Sequence, residues 1–141
     1  AFDKNFNPAL QQIIYAHLHP LLCLSLSYRY FSPKYIALHS NSFSESSGTR
    51  NERGFYLGLE TFPFRSIVLN AYIDSYRFPW LRYDASAPYS GTDFMINAKW
   101  IWNRDFYIKT YFKQEIFFEK ERSDLYISEM SEASNSRFFI Q

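Results

Sequence analysis

The sequence predicts an all-β domain, an antiparallel up-and-down (meander) sheet of the transmembrane β-barrel type, on three observations. Polar and apolar residues alternate with period two over five long segments, the mark of strands with two unlike faces. Short turns and long connections follow each other in strict alternation. Aromatic residues, 21% of the chain, gather at the segment ends and leave aliphatic residues between them.

The weakest segment comes first: Pro8–Ala16 reads as a strand or a helical turn. Leu22–Phe31 is clear, with Leu22, Leu24, Leu26, Tyr28 and Tyr30 on one face and Cys23, Ser25, Ser27, Arg29 and Phe31 on the other. A helix would scatter those apolar residues around its circumference. Gly54–Phe62 sets Phe55, Leu57 and Leu59 against Tyr56, Gly58 and Glu60. Ile67–Tyr76 sets Ile67, Leu69, Ala71 and Ile73 against Val68, Asn70, Tyr72, Asp74 and Tyr76. Thr92–Trp102 sets Phe94, Ile96, Ala98, Trp100 and Trp102 against Asp93, Met95, Asn97, Lys99 and Ile101. Phe106–Phe118 sets Phe106, Ile108, Thr110 and Phe112 against Tyr107, Lys109, Tyr111, Lys113 and Glu115. Ser136–Gln141 opens a last strand. The sequence therefore predicts one partial barrel domain over residues 1–141, a fragment with six or seven strands.

His17–Pro20, Pro63–Ser66 and Asn103–Asp105 read as tight turns. The long loops fall at 32–53, 77–91 and 119–135. Such loops are uncommon in compact soluble domains. Outer-membrane barrels carry long loops on one side and short turns on the other. The clear segments run about 9–13 residues, close to the roughly 9–11 that a tilted spanning strand needs. Tyr28, Tyr30, Phe55, Tyr56, Tyr76 and Phe78 fall at the long-loop rim, and Phe62, Phe64, Trp100, Trp102, Phe106 and Tyr107 at the short-turn rim. Aromatic rings favour a membrane–water interface, and Tyr28, Tyr30, Phe55, Trp100, Trp102 and Phe106 are the expected girdle.

Composition excludes several classes. A formal net charge of +1, from 15 Lys+Arg against 14 Asp+Glu, is not that of a strongly basic nucleic-acid binder. Cys23 is the single cysteine, so neither an internal disulfide framework nor a multi-cysteine metal site is expected. No run of about 18 apolar residues suggests a membrane helix.

Candidate chemistry is sparse. His17 and His19 lack local carboxylate or cysteine ligands for a metal, and no base is evident beside Cys23. There is no Gly-x-Ser-x-Gly, phosphate loop or dinucleotide fingerprint. The sequence gives no case for an enzyme, a cofactor or a metal. The lumen-facing polar residues are Arg29, Glu60, Asp74, Asp93, Lys99, Lys109, Lys113 and Glu115. Their mixed signs fit cross-strand pairing inside a plugged lumen better than a one-sign selective pore. Arg77, Phe78, Trp80, Arg82 and Tyr83, around Pro79, are loop binding candidates, since exposed aromatics with arginine are common at recognition surfaces. They could equally pack back into a barrel mouth.

Asn51-Glu52-Arg53-Gly54-Phe55-Tyr56-Leu57-Gly58-Leu59-Glu60, Arg77-Phe78-Pro79-Trp80-Leu81-Arg82-Tyr83, Ala87-Pro88 and Ser90-Gly91 resemble a family of Bacteroidetes outer-membrane β-barrel proteins. Tyr28-Arg29-Tyr30, Ser32-Pro33-Lys34-Tyr35 and Phe43-Ser44-Glu45-Ser46 are similar too. The resemblance runs from Tyr28 to Met95. Members often carry an N-terminal helix-hairpin-helix segment of the competence type, which this sequence does not show, so no DNA-binding residue is carried over. The resemblance implies a bacterial outer-membrane location and a barrel, and no particular activity.

The expected partners are outer-membrane lipid and the remaining strands of the parent chain, with transport, scaffolding or surface binding as the role. The alternative is a soluble antiparallel barrel holding a small apolar ligand, with the Leu and Phe face turned inward.

Overall fold

The computed structural model describes residues 1–36, 43, 44, 49–80, 88–103, 106–120 and 130–140. Seven strands follow one another: β1 (Ala9–His19), β2 (Leu22–Phe31), β3 (Glu52–Phe64), β4 (Ile67–Phe78), β5 (Tyr89–Ile101), β6 (Tyr107–Lys120) and β7 (Met130–Ile140). They form one sheet in chain order, and every neighbouring pair is antiparallel. Among the described residues the sheet is a meander that does not close, and β1 and β7 each keep one edge without a partner strand there.

The alternating segments became strands because each side chain already has a face to occupy. β2 has the bounds the alternation predicts. The weak first segment is a strand, and it runs three residues further, to His19. His17 and His19 thus lie in a strand, and the turn is Pro20–Leu21. Pro63 is inside β3, where the β3–β4 register shifts between Thr61 and Phe64. A proline has no N–H to give the ladder, so the pairing slips there. β3, β4, β5, β6 and β7 extend into the expected loops, leaving connections of 32–51, 79–88 and 121–129. The turn residues Arg104 and Asp105 lie outside the described residues.

The register carries each face across the whole sheet. One row runs Ile14, Leu26, Leu57, Ile73, then Phe94 and Gln114. The opposite face carries rows such as Tyr15, Ser25, Gly58, Tyr72, Met95 and Lys113.

Burial is inverted relative to an apolar-cored sheet. The strand residues with buried polar groups are Ser27, Arg29, Glu52, Asp74 and Asp93, all on the polar face. The buried apolar residues among those described are Ala9, Phe31 and Phe78, and they share that face. The apolar face is open: Leu10, Ile14, Ile73, Ile96, Phe112 and Phe138 are exposed, Ile96 to 46%.

The sheet also curves around its polar face. A cavity of about 630 Å³ there is lined from β1 (Ile13, Tyr15) through to β6 (Lys113). Laid flat, those six strands would span about 24 Å at the normal strand spacing, too far to enclose one such space.

Candidate functional site

The site is a ladder of charges in the half of the polar face near the long connections. Arg29 of β2 is fully buried. Gly54 lies directly opposite it on β3, and a Cβ there would overlap the guanidinium. The missing side chain is the channel through which Arg29 crosses β3. Its Nε donates to Glu52 Oε1 at 2.5 Å. Its Nη1 donates to both carboxylate oxygens of Asp74 on β4, at 2.9 and 3.1 Å. The Phe43 ring covers the guanidinium, 4.8 Å from Cζ.

The ladder continues through direct cross-strand neighbours: Asp74 opposes Asp93, and Asp93 opposes Glu115. Like charges placed directly opposite repel. Cations at the two ends offset this. Arg29 holds Asp74, and the Lys113 ammonium lies 3.5 Å from Asp93 and pairs with Glu115. A row that is apolar but for Glu52 lies at the end nearest the long connections: Ala9 opposes Phe31, Phe31 opposes Glu52, and Phe78 opposes Tyr89. Phe78 is 2% exposed and packs on Tyr76 and Tyr89 with ring centroids 5.7 and 4.9 Å away.

The structure thus gathers five of the eight expected polar-face charges: Arg29, Asp74, Asp93, Lys113 and Glu115. It leaves out Glu60, which opposes Cys23 and Asn70, and Lys99 and Lys109, which oppose each other. The Lys99 ammonium instead sits 4.5 Å from the Tyr107 ring centre. Glu52 belongs to the site although it was expected in a loop. Continuing the period-two pattern back from Gly54 would have placed it on the polar face.

The loop binding candidates divide. Arg77 and Phe78 are the last residues of β4 rather than loop residues; Phe78 is buried and Arg77 is exposed. Trp80 is 65% exposed, yet its backbone is held by Asn51. Trp80 N donates to Asn51 Oδ1 at 2.9 Å, and Asn51 Nδ2 donates to Trp80 O at 2.7 Å. Arg82 and Tyr83 lie outside the described residues.

Of the expected girdle, Tyr28, Phe55, Trp100, Trp102 and Phe106 are exposed, and Tyr30 is half-buried beneath the Arg53 guanidinium, 5.0 Å from its ring centre. Tyr56, Tyr76 and Phe78, expected at the same rim, lie on the polar face, where the alternation already sets Tyr56 and Tyr76. One local pairing was missed in sequence: the register sets His17 opposite Cys23, with Sγ 3.4 Å from Nδ1. Cross-strand neighbours across a tight turn are the signal that would have found it.

Among the described residues no group of three or more His, Cys, Asp or Glu could hold a metal ion, and no helix is long and apolar enough to cross a membrane, which does not bear on strands. No family model, curated protein or solved structure matches this chain.

Proposed function

We propose that this chain forms part of a bacterial outer-membrane β-barrel, non-enzymatic, with its polar face lining the lumen and its apolar face against lipid. The role that follows is transport, scaffolding or surface binding. The inverted burial carries this reading: charged residues are enclosed and Ile, Leu and Phe are exposed along the same strands. In water, such an apolar face would favour aggregation; in a bilayer it is the required exterior. The soluble cup needs the opposite arrangement, with Leu and Phe lining the interior.

The free edges support a closure by further strands of the parent chain. In a seven-strand meander β1 and β7 run in the same direction. Joining them directly would make a parallel pair, whereas bacterial barrels are antiparallel with even strand number. A second copy rotated about the membrane normal brings β7 against β1 in the same forbidden sense. An odd number of additional strands solves both, and removes edges whose polar groups lipid cannot satisfy. The resemblance of Tyr28–Met95 to the Bacteroidetes barrel family points the same way.

Cell fractionation of the full-length parent tests this, with protease added outside intact cells. Retention in outer membranes after a carbonate wash, with cleavage in 32–51 or 79–88, is the expected result. A soluble parent that resists cleavage there would overturn it.

A further inference from the structure

The lumen-side cavity has a chemistry of its own. Ile13, Tyr15, Phe43, Tyr56 and Tyr72 supply an apolar and largely aromatic wall, and Asp74, Asp93 and Lys113 a charged one. Its volume, about 630 Å³, falls within the usual range for small-ligand sites. The rings are arranged around the space: Tyr56 and Tyr72 lie 5.5 Å apart, and Phe43 stands edge-on to Tyr56 at 5.5 Å.

Two further observations indicate a ligand and its sign. Ser27 lines the cavity, is 6% exposed, and its Oγ has no hydrogen-bond partner, although buried hydroxyls are normally paired. The charges near the cavity are also unbalanced. Glu52, Asp74, Asp93 and Glu115 face Arg29 and Lys113, four carboxylates against two cations. Arg137, opposite Lys113 on β7, reduces the excess to one negative charge. Lys99 is six residues from Asp93 along β5, about 20 Å, beyond the screening length of roughly 8–10 Å. An anion is disfavoured here, and aromatic faces beside carboxylates suit a cation.

We propose that this cavity binds a monovalent organic cation of quaternary-ammonium size, held against Tyr56 and Tyr72, with the exposed Tyr15 at its open side, and neutralised by Asp93 and Asp74. Lys113 pairs with Asp93 and Glu115, whereas Asp74 is held by Arg29; Lys113 therefore competes with the ligand for Asp93, and its ammonium marks where the ligand's charge sits. The inference rests on the polar face being the enclosed interior, and it can fail independently of membrane location.

The test uses the chain folded in detergent micelles, its β-structure verified by circular dichroism, with choline as probe and 3,3-dimethylbutan-1-ol as the uncharged isostere. Binding is read by calorimetry and tyrosine fluorescence. Choline should bind roughly tenfold or more tightly than the isostere. Asp93→Asn should lose about that factor, Tyr72→Leu should weaken binding, and Tyr72→Phe should retain it. Lys113→Gln should tighten it, an outcome that no loss of structure would mimic. Equal binding of the isostere, weaker binding in Lys113→Gln, or no binding by the folded chain would each overturn the proposal while leaving the fractionation result intact.

Discussion

Arg29 shows how much one missing side chain decides. Its guanidinium reaches Glu52 and Asp74 only because Gly54 leaves the space above β3 empty. Gly54→Ala should therefore destabilise the detergent-folded chain about as much as Arg29→Met, roughly 3–5 kcal/mol, the usual cost of removing one partner from a buried ion pair. Denaturant midpoints in micelles measure both. Adding Glu52→Gln and Asp74→Asn to Arg29→Met should recover part of the loss, because the stranded carboxylates are then neutral. Gly58→Ala should cost less, since the overlapping atoms include the Ser25 hydroxyl and the outer edge of the Tyr56 ring, which can swing away. Equal losses for the two alanines would contradict the channel described for Arg29.

Connections, more than strands, carry the specific devices at the level of elements. Asn51 enters β3 with φ of 55°, a left-handed conformation costing a non-glycine residue roughly 1–2 kcal/mol. Its amide exchanges two hydrogen bonds with the Trp80 backbone, which ties the first long connection to the second. Asn51→Ala should lower the thermal midpoint, and Asn51→Gly should restore the backbone share alone. A midpoint unchanged in both would show the tie to be unimportant. The N-terminal segment has its own anchor in Asp3, which accepts hydrogen bonds from the Asn5, Asn7 and Ile36 backbone and from the Asn7 side chain. These bonds, the Asn7 side chain first, hold the Asp3 carboxyl below its ordinary range. A carboxylate lowered on folding stabilises at pH above its unfolded value, near 3.9, and that stabilisation is lost as pH falls through the folded value. The amide signals of Asn5, Asn7 and Ile36 should titrate together in NMR with a midpoint below 3.9, and Asp3→Asn should abolish the transition.

The solvent of the apolar face separates the competing readings of the whole molecule. Ile96 sits mid-strand on that face, between Ala71 and Phe112, and is 46% exposed. Against water, Ile96→Arg should change stability by no more than about 0.5 kcal/mol. Against hydrocarbon it should cost about 2–4 kcal/mol. Folding titrations in lipid vesicles distinguish the two, and a neutral result there would count against lipid contact. The rim aromatics belong to the same scale. Trp100, Trp102, Phe106 and Ile108 surround a surface pocket at the β5–β6 turn, where a girdle reading requires an interface.

Strand positions, the two faces and the sorting of charge onto one of them were legible in the sequence, because side-chain direction in a strand alternates locally. Arg29, Asp74, Asp93, Lys113 and Glu115 were identified that way. Their grouping was not, since Arg29 meets Glu52 and Asp74 across 23 and 45 residues, distances set by register and therefore by turn lengths and the slip at Pro63. Strand ends were misjudged at Phe78, Tyr89 and Met130, where ladder hydrogen bonds outlast the alternation that marks a strand. Local sequence determined which residues share a face; only the tertiary structure decided which face is enclosed, because burial depends on how the sheet curves and what closes over it.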